Sequence, residues 1–243
     1  MEEIKVKAIV LKSLDYKEKD KLLDLFSLEN GKLTVSLKGV RSPKAKLKFA
    51  GEPLNLSEYT LVNRNGKLTV TGATLISSFF SIATNYSAYT CVCVMQEILN
   101  KVLNDGEENA ELFVLTLKCF KLMQENSEKA LLVLVKFYLE LLKILGFGIK
   151  FDSCLNCNKT FVKETYFSFD NGSFVCSNCK NFYDILVPFN DFQNLKILSE
   201  VAIVHCINCN LNNREQFLVS ILNKNLEMRC FIKTKSFAQL DLK

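Results

Sequence analysis

Two Cys-x2-Cys pairs, separated by eighteen residues, constrain the fold of this chain more than any other feature of its sequence. Structural zinc takes four ligands in a tetrahedron, and a Cys-x2-Cys turn places two thiolates at two of its corners. The segment between the pairs is rich in aromatic residues and contains the turn Asp170-Asn171-Gly172, as a short hairpin would. We therefore predict one structural zinc ion per chain, held by Cys154, Cys157, Cys176 and Cys179.

A third pair, Cys206-x2-Cys209, has the same spacing and is an alternative to either of the first two. Its neighbours Val201, Ile203, Val204 and Ile207 are typical of a buried helical segment, in which cysteine behaves as a small apolar residue. We expect the same of Cys91, Cys93, Cys119 and Cys230. His205, the only histidine, is interpreted as a partly buried side chain and not as a ligand.

Catalytic interpretations find little support in the residues. A redox Cys-x-x-Cys needs a helix start after a βαβ strand, and a nucleophilic cysteine needs a histidine partner. The nine glycines form neither a Gly-x-Gly-x-x-Gly nor a Gly-Lys-Ser/Thr arrangement, so a nucleotide cofactor is not expected. A thiol enzyme using Cys154 and Cys157 stays open as a rival, but the sequence favours a binding protein without catalytic residues.

Composition indicates a globular chain with a large core. Of 243 residues 49% are hydrophobic, yet no stretch approaches the roughly 18 apolar residues of a membrane helix. The N-terminal Met1–Lys5 lacks the layout of a signal peptide. We expect a cytoplasmic protein without membrane contact, whose ten cysteines stay reduced or bind metal.

Positive charge is concentrated near the N-terminus. Residues 1–80 hold 14 Lys and Arg against nine Asp and Glu, whereas residues 81–243 hold 17 of each. One run contains no acidic residue at all, and its members are Lys32, Lys38, Arg41, Lys44, Lys46 and Lys48. Such a run is either a solvated loop or a phosphate-binding patch.

Residues 1–80 predict a small β-barrel domain. Five β-rich segments are separated by turn residues, with Asn30-Gly31 and Asn65-Gly66 supplying the positive φ angles of tight hairpins. The predicted strands are Ile4–Lys12, Asp20–Leu28, Lys32–Lys38, Pro53–Val62 and Lys67–Ser77. With a long basic connection after the third strand, they suit an OB-fold, although the sequence does not separate it from an SH3-like barrel.

After Phe80 the hydrophobic period becomes helical. Three apolar stripes predict a helical bundle over residues 81–149, with Ser127 as the cap of its third helix. Residues 150–183 are assigned to the zinc module and residues 184–243 to a second part of the helical domain. The fold class is therefore α+β multidomain: a five-stranded barrel followed by a helical domain that carries the four-cysteine module.

Several segments, in this order, resemble the bacterial DNA repair and recombination mediator family RecO. They include Ala8–Tyr16, Asp20–Leu23, Gly31–Leu33, Lys38–Arg41, Leu139–Phe147 before Cys154, and Lys233–Phe237. The resemblance implies an N-terminal OB-fold and a structural zinc. It also implies binding of single- and double-stranded DNA, strand annealing, and displacement of single-strand-binding protein for the recombinase together with RecR, at the bacterial nucleoid.

On this basis we predict DNA contacts from Lys38, Arg41, Lys44, Lys46 and Lys48, with Tyr16, Phe26, Phe49 and Tyr59 as stacking platforms unless they belong to the core. A groove between the helices is expected to accept the acidic, apolar C-terminal tail of single-strand-binding protein. The rival is an interaction adaptor that contains zinc and binds DNA only weakly. It requires that the lysines between residues 38 and 48 can be neutralised without loss of function.

Overall fold

A computed structural model describes residues 3–240 of the chain. Its N-terminal part consists of the strands β1 (Glu3–Tyr16), β2 (Asp20–Ser27), β3 (Gly31–Leu37), β4 (Asn55–Arg64) and β5 (Lys67–Ser78). They close into a barrel in the order β1-β2-β3-β5-β4, since β4 returns to pair with β1 and β3 pairs with β5 in parallel. This Greek-key order is that of an OB-fold, which decides between the two barrels left open by the sequence.

The hairpin turns form where Asn-Gly was predicted to allow them. Asn65 and Gly66 have φ angles of +53° and +77°, whereas in the pair Asn30-Gly31 only Gly31 has a positive φ, at +61°. Gly31 is also required by space, because a Cβ at that position would lie 1.9 Å from the backbone oxygen of Glu107. The hairpin between β2 and β3 therefore packs closely against the segment that contains Glu107.

A short 3-10 helix, Lys48–Gly51, covers one end of the barrel. The buried hydroxyl of Tyr59 donates to the carbonyl of Ala50 at 2.8 Å, and Asn55 Nδ2 donates to the carbonyl of Phe49 at 3.0 Å. Ala50 itself is fully buried among the barrel's apolar side chains. The connection between β3 and β4 is therefore anchored at its C-terminal end.

The helical part is built from α1 (Tyr86–Val102), α2 (Ala110–Glu125) and α3 (Ala130–Ile144). Asn85 and Asn109 cap the first two helices, each by accepting a backbone N–H through its side chain. The prediction that Ser127 caps the third helix is wrong. Ser127 begins a 3-10 turn, Ser127–Lys129, ahead of α3, and its hydroxyl accepts a bond from Asn85 instead.

The chain then forms a small sheet from β6 (Thr165–Ser168), β7 (Ser173–Cys176) and β8 (Ile185–Val187). The helices α4 (Phe189–Glu200) and α5 (Glu215–Cys230) follow. Because α5 packs against α3, the sheet is an insertion within one helical domain. A single apolar cluster runs from the barrel into the helices, with Phe26 and Phe113 in edge-to-face contact at 5.3 Å.

Over the described residues, no helix has both the length and the apolar character that crossing a membrane requires.

Candidate metal centre and nucleic-acid interface

The two cysteine pairs meet at the hairpin of β6 and β7, as the sequence predicted. Gly172, at a φ of +66°, closes the turn, and its N–H donates to the carbonyl of Ser168 at 2.7 Å. Cys176 ends β7, while Cys154 and Cys157 lie in a turn whose Leu155 N–H donates to the carbonyl of Phe174 on β7. The hairpin thus carries the second pair back to the first.

The ligand atoms of Cys154, Cys157, Cys176 and Cys179 all lie within 4.8 Å of one another. The sulfur atoms of Cys157 and Cys176 are 3.7 Å apart. A tetrahedral ion with metal–sulfur bonds of about 2.3 Å separates its ligand atoms by about 3.8 Å. The four thiols are therefore already spaced to hold a metal ion.

Local hydrogen bonds shift the pKa values of two of these thiols in opposite directions. Burial acts to raise the pKa of Cys154, but bonds from the backbone N–H groups of Cys176, Cys157 and Asn156 outweigh it and lower the pKa to about 6. The Cys176 N–H lies 3.3 Å from that sulfur. At Cys179, bonding to the Cys157 thiol is the main cause of a pKa raised to about 12. Four thiolates so close together repel one another, so full ionisation requires a cation among them.

The module is held to the helical domain by aromatic packing and by one arginine. Phe174 contacts Phe192 of α4 at 4.9 Å between ring centroids, and Phe161 contacts the same ring at 5.0 Å. Arg229 of α5 donates to the carbonyls of Phe169 and Asp170, next to the hairpin turn. Loss of the module's fold would expose these rings.

The third cysteine pair lies apart from this group. Cys206 is buried, and Ile203, Ile207 and Cys209 are partly buried against the core, but Val204 is exposed, so the predicted buried segment is only partly borne out. His205 is exposed, not partly buried. Among the described residues the cluster of potential ligands comprises the four predicted cysteines without Cys206 or Cys209.

The predicted DNA-binding residues lie on the basic loop, residues 38–48, between β3 and β4. All five side chains are exposed, yet they differ in their contacts. Arg41 donates to the carbonyls of Lys17 and Glu18 and pairs with Asp15 at 3.1 Å, and Lys48 donates to the carbonyl of Pro43. The ammonium groups of Lys38, Lys44 and Lys46 have no hydrogen-bond or ion-pair partner within the described part of the chain.

Arg41 therefore joins the basic loop to the turn between β1 and β2, and this turn adds charge that the sequence analysis missed. Lys17 and Lys19 are exposed there, and Tyr16 beside them is 45% exposed. The available signal was the OB-fold itself, whose first loop commonly contacts ligand. Of the proposed platforms, Tyr16 is accessible and Phe49 is half-buried, whereas Phe26 and Tyr59 are in the core.

A groove crosses α2 on another face. Two cavities of about 450 and 500 Å³ lie on either side of this helix, and both are lined by Val114 and Lys118. The first also contains Phe79 and Lys121, and the second contains Leu115 and Ile144. Val114 is 42% exposed although it is apolar. The groove thus has an apolar floor with Lys118 and Lys121 on it, together with the acidic Glu111, Glu125 and Glu140, of which Glu125 lies 4.0 Å from the Lys121 ammonium.

Fold and site together define a class: a multidomain OB-fold protein with a cationic barrel loop and a helical domain that carries a four-thiol metal-binding module. Comparison with known families makes the assignment specific. The family models described as "Recombination protein O N terminal" and "Recombination protein O C terminal" match residues 1–79 and 83–184. The chain belongs to the RecO family of DNA repair proteins.

Similar proteins cover nearly the whole chain. The DNA repair protein RecO of Clostridium perfringens (strain 13) is 27% identical, over 93% of this chain and 96% of that protein. That of Acetivibrio thermocellus is 28% identical, over 96% and 98%. That of Clostridium novyi is 29% identical, over 82% and 78%.

Proposed function

We propose that this protein is a DNA-binding recombination mediator of the bacterial nucleoid. It binds single- and double-stranded DNA, anneals complementary strands, and helps load recombinase onto DNA coated with single-strand-binding protein. The observation that carries the proposal is that, over residues 3–240, the ammonium groups of Lys38, Lys44 and Lys46 on an OB-fold loop have no partner, in a chain of the RecO family.

The physical basis of annealing is charge neutralisation. Lysines that contact phosphates read no bases, so the same surface accepts any strand and its complement. Neutralised phosphates repel one another less, which allows two strands to approach until their bases pair. No catalytic residue is needed for this activity.

The test is an annealing assay with two complementary oligonucleotides labelled for energy transfer, with and without bound single-strand-binding protein. The chain should accelerate pairing. A variant with Lys38, Lys44 and Lys46 changed to alanine should lose most of that acceleration. A variant with Lys159 and Lys163 changed to alanine is the matched control, because those lysines are exposed on the cysteine module. Equal rates for all three proteins would refute the proposal.

We also propose that the metal is zinc, one ion per chain. The donor set supports this choice, because four thiolates at tetrahedral spacing suit zinc better than oxygen-seeking cations. The ion would supply folding free energy to residues 150–183 and no chemistry. Metal analysis of protein kept reduced and free of chelator should find about one zinc per chain. Cys206→Ser should leave that content unchanged, whereas Cys157→Ser should abolish it. A content near zero in the parent would exclude the zinc module.

The groove across α2 supports a proposed partner, the acidic and apolar C-terminal tail of single-strand-binding protein. Its apolar floor at Val114 suits the tail's apolar end, and Lys118 and Lys121 suit its carboxylates. Calorimetry with a tail peptide at low salt should show binding, which Lys118→Glu should weaken. Absence of heat with folded protein would refute this docking site. Binding of RecR is proposed from the family alone.

The adaptor is the second candidate, and the same groove is what favours it. It predicts that the Lys38, Lys44 and Lys46 variant anneals and repairs as well as the parent, while Lys118→Glu does not. Measurements on both variants therefore separate the two functions.

A further inference from the structure

A cavity of about 500 Å³ lies where the barrel, α1 and the C-terminal segment meet. Lysines from all three elements line it: Lys12 of β1, Lys101 of α1 and Lys235 near the C-terminus. We call it the seam pocket. It lies apart from the basic loop, and neither the sequence motifs nor the metal centre accounts for it.

The C-terminal segment is held in the pocket by Glu97. Its carboxylate accepts the backbone N–H groups of Lys235 and Ser236 at 2.9 and 2.7 Å and the Lys101 ammonium at 2.6 Å. Lys101 also donates to the carbonyl of Lys233. The partly buried carboxylate of Glu97 thus fixes the position of a segment that lies almost 140 residues later in the chain.

The bonds at Glu97 leave the pocket cationic. The Lys101 ammonium and the Glu97 carboxylate neutralise each other. Asp24, opposite Lys12 on β2, accepts hydrogen bonds from the neutral Thr34 and Asn100, which leave its charge in place, but it is not among the residues that line the pocket. In the described structure the ammonium groups of Lys12 and Lys235 have no partner, and both side chains are exposed. Two unpaired cations over a cavity are suited to an anion.

The outer face of β1 connects this pocket to the basic loop. Beyond the bulge between Val10 and Lys12, side chains two residues apart share a face. Lys12, Leu14 and Tyr16 therefore form a row, in which Leu14 and Tyr16 are each 45% exposed. Four residues of strand span about 14 Å. At the far end of the row, Tyr16 adjoins Lys17 and the turn that Arg41 joins to the basic loop.

We propose that the seam pocket binds the phosphodiester backbone of single-stranded DNA. A strand runs from the basic loop along the outer face of β1, where Tyr16 stacks on a base, and ends with its phosphates at Lys12 and Lys235. Glu97 is a positioning residue, because it acts only by holding the C-terminal segment that carries Lys235. This path rests on the DNA binding proposed above and extends it from the basic loop to β1 and the C-terminal segment.

The test is a salt titration of the full-length, metal-loaded chain with a fluorescent oligothymidylate of about 16 nucleotides, near the upper end of OB-fold site sizes. Each phosphate contact on a single strand contributes about 0.7 to the slope of log affinity against log salt. Changing Lys12 and Lys235 to alanine should flatten the slope by about 1.4. Changing Lys159 and Lys163 to alanine should leave it unchanged. Within the part of the chain that the structure describes, the ammonium groups of both pairs have no hydrogen-bond or ion-pair partner, so neither double variant should affect folding, which a melting curve verifies.

Lysine acylation followed by mass spectrometry supplies a readout that a structural role would not alter. The oligonucleotide should protect Lys12 and Lys235 from acylation, and Glu97→Gln should reduce the protection at Lys235. An unchanged slope and unprotected lysines, with a parent that still binds DNA, would overturn the seam pocket alone. A parent that does not bind would overturn the proposed function together with it. Stronger protection by an oligoglutamate peptide than by DNA would reassign the pocket to an acidic protein segment.

Discussion

Neutralising the free lysines of the basic loop should weaken DNA binding by an amount that the structure sets. Among the described residues, Lys38, Lys44 and Lys46 find no partner for their ammonium groups, whereas Arg41 and Lys48 are bonded within the chain. If each free lysine neutralises one phosphate, changing all three to alanine removes about 2.1 from the salt slope. Across a fourfold change in salt, this loss corresponds to about twentyfold in the relative affinity of parent and variant.

Anisotropy titrations at four or more salt concentrations measure the slope. The contrast is Arg41→Ala, whose guanidinium joins the basic loop to the turn between β1 and β2. That variant should lower the melting temperature more than the triple lysine variant does, because it removes bonds that order two loops. The lysine variant should melt close to the parent, since its side chains are exposed. The reasoning fails if the triple variant keeps the parental slope, or if its affinity falls only because it has unfolded.

Three further predictions concern stability. Glu140→Gln should cost about 3–5 kcal/mol in urea unfolding, because it leaves the fully buried Lys136 ammonium without its counter-ion. Lys136→Met should cost less, because it leaves a carboxylate that water can reach. The reverse order of the two costs would contradict this. The Glu97 carboxylate is partly buried, which raises its pKa, but bonds from Lys101, Lys235 and Ser236 lower the pKa to about 2, below the ordinary 4.5. The stabilising effect of Glu97 over Glu97→Gln should therefore be full above pH 4.5 and decline as the pH falls towards 2; a difference independent of pH would exclude it. Metal removal by a chelator should increase the binding of an apolar dye, because Phe161 and Phe174 lose their support, and Cys206→Ser should respond like the parent.

The sequence was sufficient for features that follow from turn chemistry and ligand spacing, although the local rule for helix caps failed at Ser127. Asn-Gly pairs located two hairpins, and the spacing of four cysteines located the four-thiol cluster. Phe26 and Tyr59 show where local rules end. Each alternates in a strand as a surface platform would, and only closure of the barrel and docking of α2 bury them.

Partners that are distant in the sequence could not be predicted, because only the fold brings them together. The ion pair between Arg41 and Asp15 forms only through the fold, and contact of Arg41 with DNA stays a prediction. The seam pocket joins Lys12 to Lys235 through Glu97, and no pattern in the sequence links those three positions. Lys136 lies in an apolar helix, where Glu140 is a local i,i+4 partner, but its bond to the carbonyl of Ser199 depends on the fold.

Because the cysteine module is inserted between α3 and α5, these two packed helices are completed at different times during synthesis on the ribosome. Eleven of the fifteen residues of α3 are buried, in part against α5, which is completed only at Cys230. At a synthesis rate of about 5–20 residues per second, roughly 4–17 s pass between completion of α3 and completion of α5. During this interval its apolar surface is available to chaperones or to another nascent chain. Slow translation of the inserted module should therefore increase aggregation of the newly made protein.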